Sequence, residues 1–164
     1  MKMPVIFDAD ILSTFAKTDT LLLLKKLFSK HDVYITPKIY EELSVPLDYG
    51  YSFPLKIFEQ FKILYPDEEE QKTYREFMKA NRRLGRGELE AISICMKRKY
   101  YFSSMDEVAI SFAEVNDVTT ISLHSILRSF WESKILTKKE VQELISEIEQ
   151  KDNTRIKDTQ RILQ

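Results

Sequence analysis

The sequence has few of the residues that form disulfides, flexible linkers or zinc sites. Its 164 residues include one cysteine, three glycines and two histidines. The single cysteine, Cys95, excludes an internal disulfide and fits a reducing compartment, so we expect the protein in the cytoplasm. The histidines, His31 and His124, have no partners at the spacing of a zinc site. With 43% hydrophobic residues, the chain is typical of a globular protein rather than a linker.

Long apolar runs and an excess of one charge are also absent. No window reaches the length of a membrane span, and residues 1–8 lack a signal-peptide pattern, so we expect no membrane association. The 25 basic and 26 acidic residues give a net charge of −1. This balance excludes a general attraction to polyanions, and binding of nucleic acid would therefore need a local basic patch.

Short apolar or β-branched runs alternate with helical patterns along the chain. The predicted strands lie at residues 5–7, 32–36, 63–65, 100–105 and 117–122. This alternation predicts an α/β fold with a mostly parallel central sheet, helices on both faces and further C-terminal helices. Residues 151–164 have sparse apolar positions and are interpreted either as a frayed helix or as an arm ordered by a partner.

Carboxylates stand at the ends of predicted strands and at the starts of the helices that follow. Asp8 and Asp106 end strands, Glu41 and Glu42 follow another, and Glu88 lies in the first turn of a helix after a glycine-containing basic loop. The carboxyl ends of parallel strands meet at one edge of a sheet, so these acids are expected to meet there. Grouped carboxylates repel each other unless a hard cation lies among them, which indicates a divalent-metal site. Adjacent helical residues point about 100° apart, so only one of Glu41 and Glu42 can face that site.

Each of these acids also has a structural interpretation. An acid at a helix start caps the first turn or interacts favourably with the helix dipole. Asp8 or Asp10, Glu88 and Asp106 could serve only that purpose. The acidic run 67–70 is interpreted as solvated helix surface, because consecutive residues splay around the helix axis.

In their order and settings the four acidic segments resemble the PIN domain, the nuclease fold of VapC-type toxins and related RNA-processing enzymes. The matching segments are residues 5–12, 40–43 and 102–109, and Gly87-Glu88-Leu89-Glu90-Ala91-Ile92. The likeness extends over residues 3–135 and is closest to the branch whose third motif reads Gly-Glu-x-Glu-Ala-Ile. It predicts a PIN-like nuclease domain at residues 1–135 and a C-terminal helical extension at 136–164.

The resemblance implies a metal-dependent ribonuclease that hydrolyses phosphodiester bonds with Mg²⁺ or Mn²⁺. By position, the implied catalytic acids are Asp8, Glu42, Glu88 and Asp106, of which Asp8, Glu88 and Asp106 hold the metal. Asp10 and Ser104 are placed in support. A bound divalent ion lowers the pKa of water and offsets charge on the scissile phosphate.

Partners are implied by the same resemblance. The substrate is expected to be RNA, and the chain is a candidate toxin of a toxin–antitoxin pair. An antitoxin would then cover the active-site groove, with residues 44–53 as a docking surface, and a homodimer is a further candidate assembly.

A local basic patch precedes Glu88 in the sequence. Arg82, Arg83 and Arg86 are the first candidates for contacts with RNA phosphates, and residues 97–99 are the second. The structural alternative is that these arginines belong to a solvated loop.

Two other classes of function compete with the nuclease. One is a non-catalytic PIN-like module for protein interaction or regulation, which the extra acid Glu107 and the near-neutral net charge favour. The other is a nucleotide-binding α/β regulator. The second is weakened because no P-loop or Gly-x-Gly-x-x-Gly turn follows the first strand.

Overall fold

Five short parallel strands form the centre of the fold. The computed structural model describes residues 3–164. Its strands are β1 Val5–Phe7, β2 Val33–Ile35, β3 Lys62–Ile63, β4 Tyr101–Ser104 and β5 Thr120–Ser122. Their order across the sheet is β3-β2-β1-β4-β5, and every neighbouring pair is parallel. The predicted α/β fold with a parallel central sheet is therefore confirmed.

Helices connect the strands and continue beyond the last one. In the described part of the chain they are α1 Ala9–Lys17, α2 Leu21–Leu27, α3 Pro37–Ser44, α4 Phe53–Gln60, α5 Glu68–Ala80, α6 Arg86–Arg98, α7 Glu107–Val115, α8 Leu123–Glu132, α9 Lys138–Lys151 and α10 Thr159–Leu163, with a 3₁₀-helix at Val45–Tyr49. Within residues 3–164, none of these helices has the length and apolar character needed to cross a membrane.

The order of the strands places a crevice between β1 and β4. The chain passes from β1 to β2 and β3 on one side and then returns to β4 and β5 on the other. Connections therefore leave β1 and β4 in opposite directions, which is the arrangement that opens a binding crevice outside the carboxyl ends of parallel strands. Phe7 is in register with Ser103, so the residues that follow the two strands emerge side by side.

The core is built around β1, whose three residues are completely buried. Phe7 makes edge-to-face contacts with Phe28 and Phe61, with ring centroids 5.1 and 5.6 Å apart. On the α1 side, Phe15 packs edge-to-face on Phe130 of α8 at 6.1 Å. Such pairs contribute about 1 kcal/mol each beyond the burial of their area. Cys95 is also buried in this core.

The C-terminal helices pack on the rest of the chain. Helix α9 begins with a capping box, in which Thr137 and Glu140 exchange hydrogen bonds. In α10, Ile162 is 1% exposed, and its carbonyl accepts a 2.6 Å hydrogen bond from the indole of Trp131. The expectation of a frayed or partner-ordered arm is therefore wrong for α10, which the chain's own core holds. The boundary between residues 135 and 136 stays a prediction.

One acid of the run 67–70 is buried, which contradicts its interpretation as solvated surface. Glu70 is 1% exposed and accepts hydrogen bonds from Nε and Nη2 of Arg98, both at 2.7 Å. It also accepts from the backbone N–H of Asp67 in a capping box. Glu70 is buried because α5 packs on α6, and Arg98 of α6 supplies the positive charge that pairs with the Glu70 carboxylate.

We expect Glu70→Gln to lower the free energy of unfolding by about 2–4 kcal/mol, because it leaves a partly buried guanidinium without its carboxylate. Urea denaturation measures the change. The control is Glu76→Gln, which alters an exposed acid on the same helix and should stay within about 0.5 kcal/mol of the unmodified protein. Equal stability of the two variants would show that the pair contributes nothing.

Candidate metal centre

Asp8 lies directly after β1, at the mouth of the crevice, and is only 2% exposed. One of its carboxylate oxygens caps α1 by accepting the N–H of Ala9 at 2.8 Å, and the other accepts the hydroxyl of Ser104 at 3.0 Å. Burial raises the pKa of Asp8 to about 7, and the negative charge of Asp10 adds to the increase. The side chain is thus both a helix cap and a carboxyl that titrates near neutrality.

Ser104 and Asp106 come from the end of β4, beside Asp8. The fully buried hydroxyl of Ser104 donates to Asp8 and accepts the backbone N–H of Asp106 at 3.0 Å. Asp106 caps α7, since its Oδ1 accepts the N–H groups of Val108 and Ala109 at 2.8 and 3.4 Å. Both cap bonds use Oδ1, so Oδ2 is left out of the cap. Asp106 is therefore a helix cap whose Oδ2 remains outside the cap, and whether capping is its only role stays a prediction.

Glu88 carries the one buried side-chain oxygen or nitrogen atom that lacks a hydrogen-bond partner among the described residues. This atom is its Oε2. Burial raises the pKa of Glu88 to about 8, and the negative charges of Asp8, Asp106, Glu42 and Asp10 add to it in that order. An unpartnered buried carboxylate oxygen is unfavourable unless it gains a proton or a cation.

Glu42 reaches Glu88 from the facing helix α3. Its Oε1 accepts the N–H of Gly87 at 3.0 Å. A Cβ atom at Gly87 would lie 2.7 Å from that oxygen and 3.0 Å from Cγ1 of Ile39, so a larger residue there would displace the Glu42 carboxylate. The Oε1 atoms of Glu42 and Glu88 each lie 3.6 Å from where a Cβ at Gly85 would stand, which makes the two side chains neighbours.

The choice between the two adjacent glutamates of α3 follows from their partners. Glu41 is exposed and faces Lys38 of its own helix, 4.0 Å away. Glu42 is exposed along part of its side chain, but burial of its carboxylate raises its pKa, and the charges of Asp10, Glu41 and Glu90 add to the increase. Glu42 therefore faces the crevice, and Glu41 faces solvent.

Asp10 lies at the exposed edge of the same group. Burial of its carboxylate raises its pKa, the charges of Asp152 and Asp106 add to the increase, and Lys17 opposes it. The structure thus brings together all five predicted acids and Ser104, although they come from segments up to about a hundred residues apart in sequence.

The chemistry of this group fits a hard divalent cation. All its donor atoms are oxygens, the donor type that Mg²⁺ and Mn²⁺ prefer, and one of them is buried without a partner. Within residues 3–164, however, no three acidic, histidine or cysteine side chains already stand in positions to coordinate one ion. The acids share a pocket but do not form a ready-made coordination shell.

Sequence patterns missed several residues that support the site. Glu90 is 5% exposed, and its Oε1 accepts the N–H of Lys38 at 2.8 Å, which fixes the start of α3 against α6. Glu90 lies two residues after Glu88 and therefore on a different side of the helix. This spacing was the one signal in the sequence that could have separated its structural role from the site role of Glu88. Thr14 of α1 and Asp152 at the end of α9 contact each other, and neither gave a signal because the two residues are distant in sequence.

The predicted basic residues separate into two groups. Arg82, Arg83 and Arg86 are exposed. Arg82 and Arg83 also line a cleft of about 410 Å³ that includes Val108 and Phe112 of α7. Two of the second candidates, Lys97 and Arg98, are paired with acids of α5 or its cap, whereas Lys99 is exposed. Lys97 contacts Asp67 and Glu69, and Arg98 contacts Glu70.

Comparisons with known proteins agree with this architecture. The sequence model of the PIN-domain family matches residues 4–163. No curated protein matches the chain. VapBC2 of Rickettsia felis, solved bound to a DNA fragment from its promoter, is similar with a TM-score of 0.57 and 14% identity, over 73% of this chain and 98% of that chain.

Two further solved structures have similar folds. VapBC-1 from nontypeable Haemophilus influenzae has a TM-score of 0.52 and 16% identity over 73% of this chain and 98% of that chain. PAE2754 from Pyrobaculum aerophilum has a TM-score of 0.50 and 14% identity over 89% and 99%. At these identities the likeness shows the fold alone.

Fold and site together define an α/β protein with acids grouped at the switch point of a parallel sheet. Because the family model matches nearly the whole chain, the chain belongs to the PIN-domain family. The resemblance drawn from the sequence is confirmed at this level. The branch with the Gly-Glu-x-Glu-Ala-Ile motif and the roles of the individual acids stay predictions.

The raised pKa of Asp8 predicts an unusual dependence of stability on pH in metal-free protein. A carboxyl whose pKa is higher in the folded state stabilises the fold at low pH, and that stabilisation is lost as the pH rises toward the folded pKa of about 7. We expect Asp8→Asn to be more stable than the unmodified protein by about 2 kcal/mol near pH 8, with the difference fading toward about pH 4.

Urea denaturation in EDTA at both pH values checks this expectation. Glu143→Gln, which removes an exposed acid of α9, is the control and should not change the pH dependence. A lower stability of Asp8→Asn near pH 8 would contradict the proposed repulsion.

Proposed function

We propose that this PIN-domain protein is a metal-dependent endoribonuclease that acts as the toxin of a toxin–antitoxin pair. The observation that carries the proposal is the unpartnered, buried Oε2 of Glu88, surrounded by the charges of Asp8 and Asp106. Such an oxygen is unfavourable for the fold alone, whereas a bound cation would supply its missing partner.

Asp8, Glu88 and Asp106 would hold Mg²⁺ or Mn²⁺, with Asp10, Glu42 and Ser104 in support. When bound, the ion supplies an activated water and neutralises charge at the scissile phosphate. The chain's own residues fix the acids. The Ser104 hydroxyl orients Asp8 and joins it to the backbone of Asp106. The N–H of Gly87 restrains Glu42 beside Glu88.

Protons compete with the cation at this site. With pKa values of about 7 and 8, Asp8 and Glu88 each bind a proton over part of the neutral range. The protons must leave before both carboxylates can act as ligands. Cleavage should therefore increase with pH up to about these values, since deprotonation favours loading.

RNA is proposed to approach along the exposed arginines that precede Glu88. Arg82 and Arg83 line the cleft that reaches Val108, two residues after Asp106. Cations at the rim would offset the repulsion between an acidic pocket and a polyanion. The near-neutral net charge makes this local patch the main source of attraction for phosphates.

A protein partner is proposed for the surface around residues 44–53. Tyr49 and Tyr51 are 76% and 62% exposed. Tyr51 and Phe53 line a cleft of about 690 Å³ that also includes Lys17 and Lys56. Exposed aromatic side chains of this kind are typical of interfaces. We propose an antitoxin as the occupant of this surface and keep a homodimer as the second assembly. We place both in the cytoplasm, because a reducing compartment keeps a free thiol such as that of Cys95 reduced.

The second candidate function is a non-catalytic PIN-like interaction module. It is favoured by the lack, within residues 3–164, of three side chains already arranged around one ion. Glu107, exposed at the start of α7, adds a further negative charge beside Asp106. In this case the acids would remain as helix caps and structural contacts.

Cleavage assays distinguish the two functions. We expect the protein to cut labelled single-stranded RNA with Mn²⁺, and Asp8→Asn or Glu88→Gln to reduce the rate by about two orders of magnitude or more. Binding of the same RNA in EDTA should change little. Glu76→Gln, an exposed acid on α5, is the control with full activity.

Each alternative result has a definite meaning. Equal cleavage by all variants would indicate a contaminating nuclease. Absence of cleavage by the unmodified protein on several RNAs would contradict the nuclease and favour the interaction module.

The arginine patch gives a separate prediction. In an Asp8→Asn background, Arg82→Gln/Arg83→Gln should weaken RNA binding, and the slope of log affinity against log salt should decrease by about 1.4, or about 0.7 per lost cation. Fluorescence anisotropy at several salt concentrations measures it. Lys97→Gln is the matched control, because Lys97 pairs with Asp67 and Glu69. An unchanged slope would remove the patch from the RNA path.

A further inference from the structure

Asp152, the first residue after α9, contacts helix α1 in the N-terminal part of the chain. Asp152 caps the end of α9, and its side chain is 15% exposed. Its Oδ2 lies 2.7 Å from the hydroxyl of Thr14, and its Oδ1 lies 2.8 Å from Nζ of Lys17. Both partners belong to α1, the helix that begins directly after Asp8.

Thr14 connects Asp152 with two segments of the acidic group. It is completely buried, and its Oγ1 lies 3.0 Å from the carbonyl oxygen of Asp10 and 3.3 Å from Sδ of Met105. A hydroxyl has one hydrogen, and the nearest and only charged acceptor is the Asp152 carboxylate. The Asp152 contact therefore sets the direction of a group that touches the segments carrying Asp10 and Asp106.

Lys17 connects the same carboxylate with a fourth element. Its Nζ lies 5.3 Å from the ring centroid of Phe53, at the start of α4, while it pairs with Asp152. The ion pair keeps this cation on the α9 side of α1. The charge of Asp152 also reaches Asp10, whose pKa it raises and Lys17 lowers.

We propose that Asp152 is a positioning residue of the metal centre: through Thr14 and Lys17 it holds α1, the helix that Asp8 caps, against Met105 after β4, and so restrains the segments that carry Asp8 and Asp106 relative to each other. The inference rests on the proposed function. It means that the C-terminal segment beyond residue 135 is part of the working site, although the resemblance seen in the sequence ends before it.

Substitutions can separate the two contacts of Asp152, its hydrogen bond with Thr14 and its ion pair with Lys17. Asp152→Asn keeps an acceptor for Thr14 but loses the ion pair and frees Lys17 beside Asp10. Thr14→Val removes the hydroxyl with almost no change of shape, whereas Thr14→Ser retains it. Glu147→Gln is the matched control, because it removes one negative charge from the same helix in an exposed pair with Lys151.

The test measures Mn²⁺ affinity of the full chain by electron paramagnetic resonance of free Mn²⁺, with thermal unfolding in EDTA as a check on folding. We expect the Kd for Mn²⁺ to rise about tenfold in Asp152→Asn and in Thr14→Val. Thr14→Ser and Glu147→Gln should stay within about twofold of the unmodified protein. Lys17→Gln added to Asp152→Asn should recover part of the loss, since it removes the freed cation.

The outcomes decide between the inference and a merely structural contact. If Asp152→Asn and Thr14→Val bind Mn²⁺ as Glu147→Gln does, the inference is wrong, even where their melting temperatures fall. If Asp152→Asn does not fold, the comparison of Thr14→Val with Thr14→Ser decides it. Failure of the proposed function is distinct, because it would appear in the unmodified protein as absence of RNA cleavage.

Discussion

Repulsion among carboxylates that the fold forces together governs this structure. Burial and neighbouring charge both favour the protonated forms of Asp8 and Glu88 and raise their pKa values to about 7 and 8. Local donors offset part of this cost: the N–H of Ala9 and the hydroxyl of Ser104 bind Asp8, and the N–H of Gly87 binds Glu42. Among the described residues, Oε2 of Glu88 receives no such donor. The acids thus destabilise the metal-free fold, which is a common property of sites adapted to bind a ligand.

The path of the chain explains why acids so far apart in sequence meet. Because β1 lies in the middle of the sheet and β4 returns beside it, Asp8 and Asp106 leave adjacent strands in the same direction. Helices α3 and α6 then pack closely enough that a Cβ atom at Gly87 of α6 would press on Glu42 and Ile39 of α3. The strands are only two to four residues long. The geometry of the site therefore depends on helix packing as much as on the sheet.

The alternation of strands and helices, and the positions of the acids at strand ends and helix starts, could be predicted because both depend on local patterns. The run Val5–Phe7 is apolar and stops at an acid, and Glu88 follows a glycine-containing loop at a helix start. Burial of Glu70 could not be predicted, since its partner Arg98 lies on another helix. The same holds for Asp152, because its partner Thr14 in α1 is separated from it by most of the sequence. Partners distant in sequence leave no periodicity, and periodicity is what a single sequence reveals.

The docking of the C-terminal helix has a spectroscopic consequence. Trp131 is the one tryptophan of the chain. Its indole N–H donates to the carbonyl of Ile162, and the ammonium of Lys138 lies 4.3 Å from its ring centroid. Both contacts depend on the segment that follows α8, so release of that segment would expose the indole to water and remove a nearby cation. The intrinsic fluorescence of the protein thus reports, without any label, whether its C-terminus is in place.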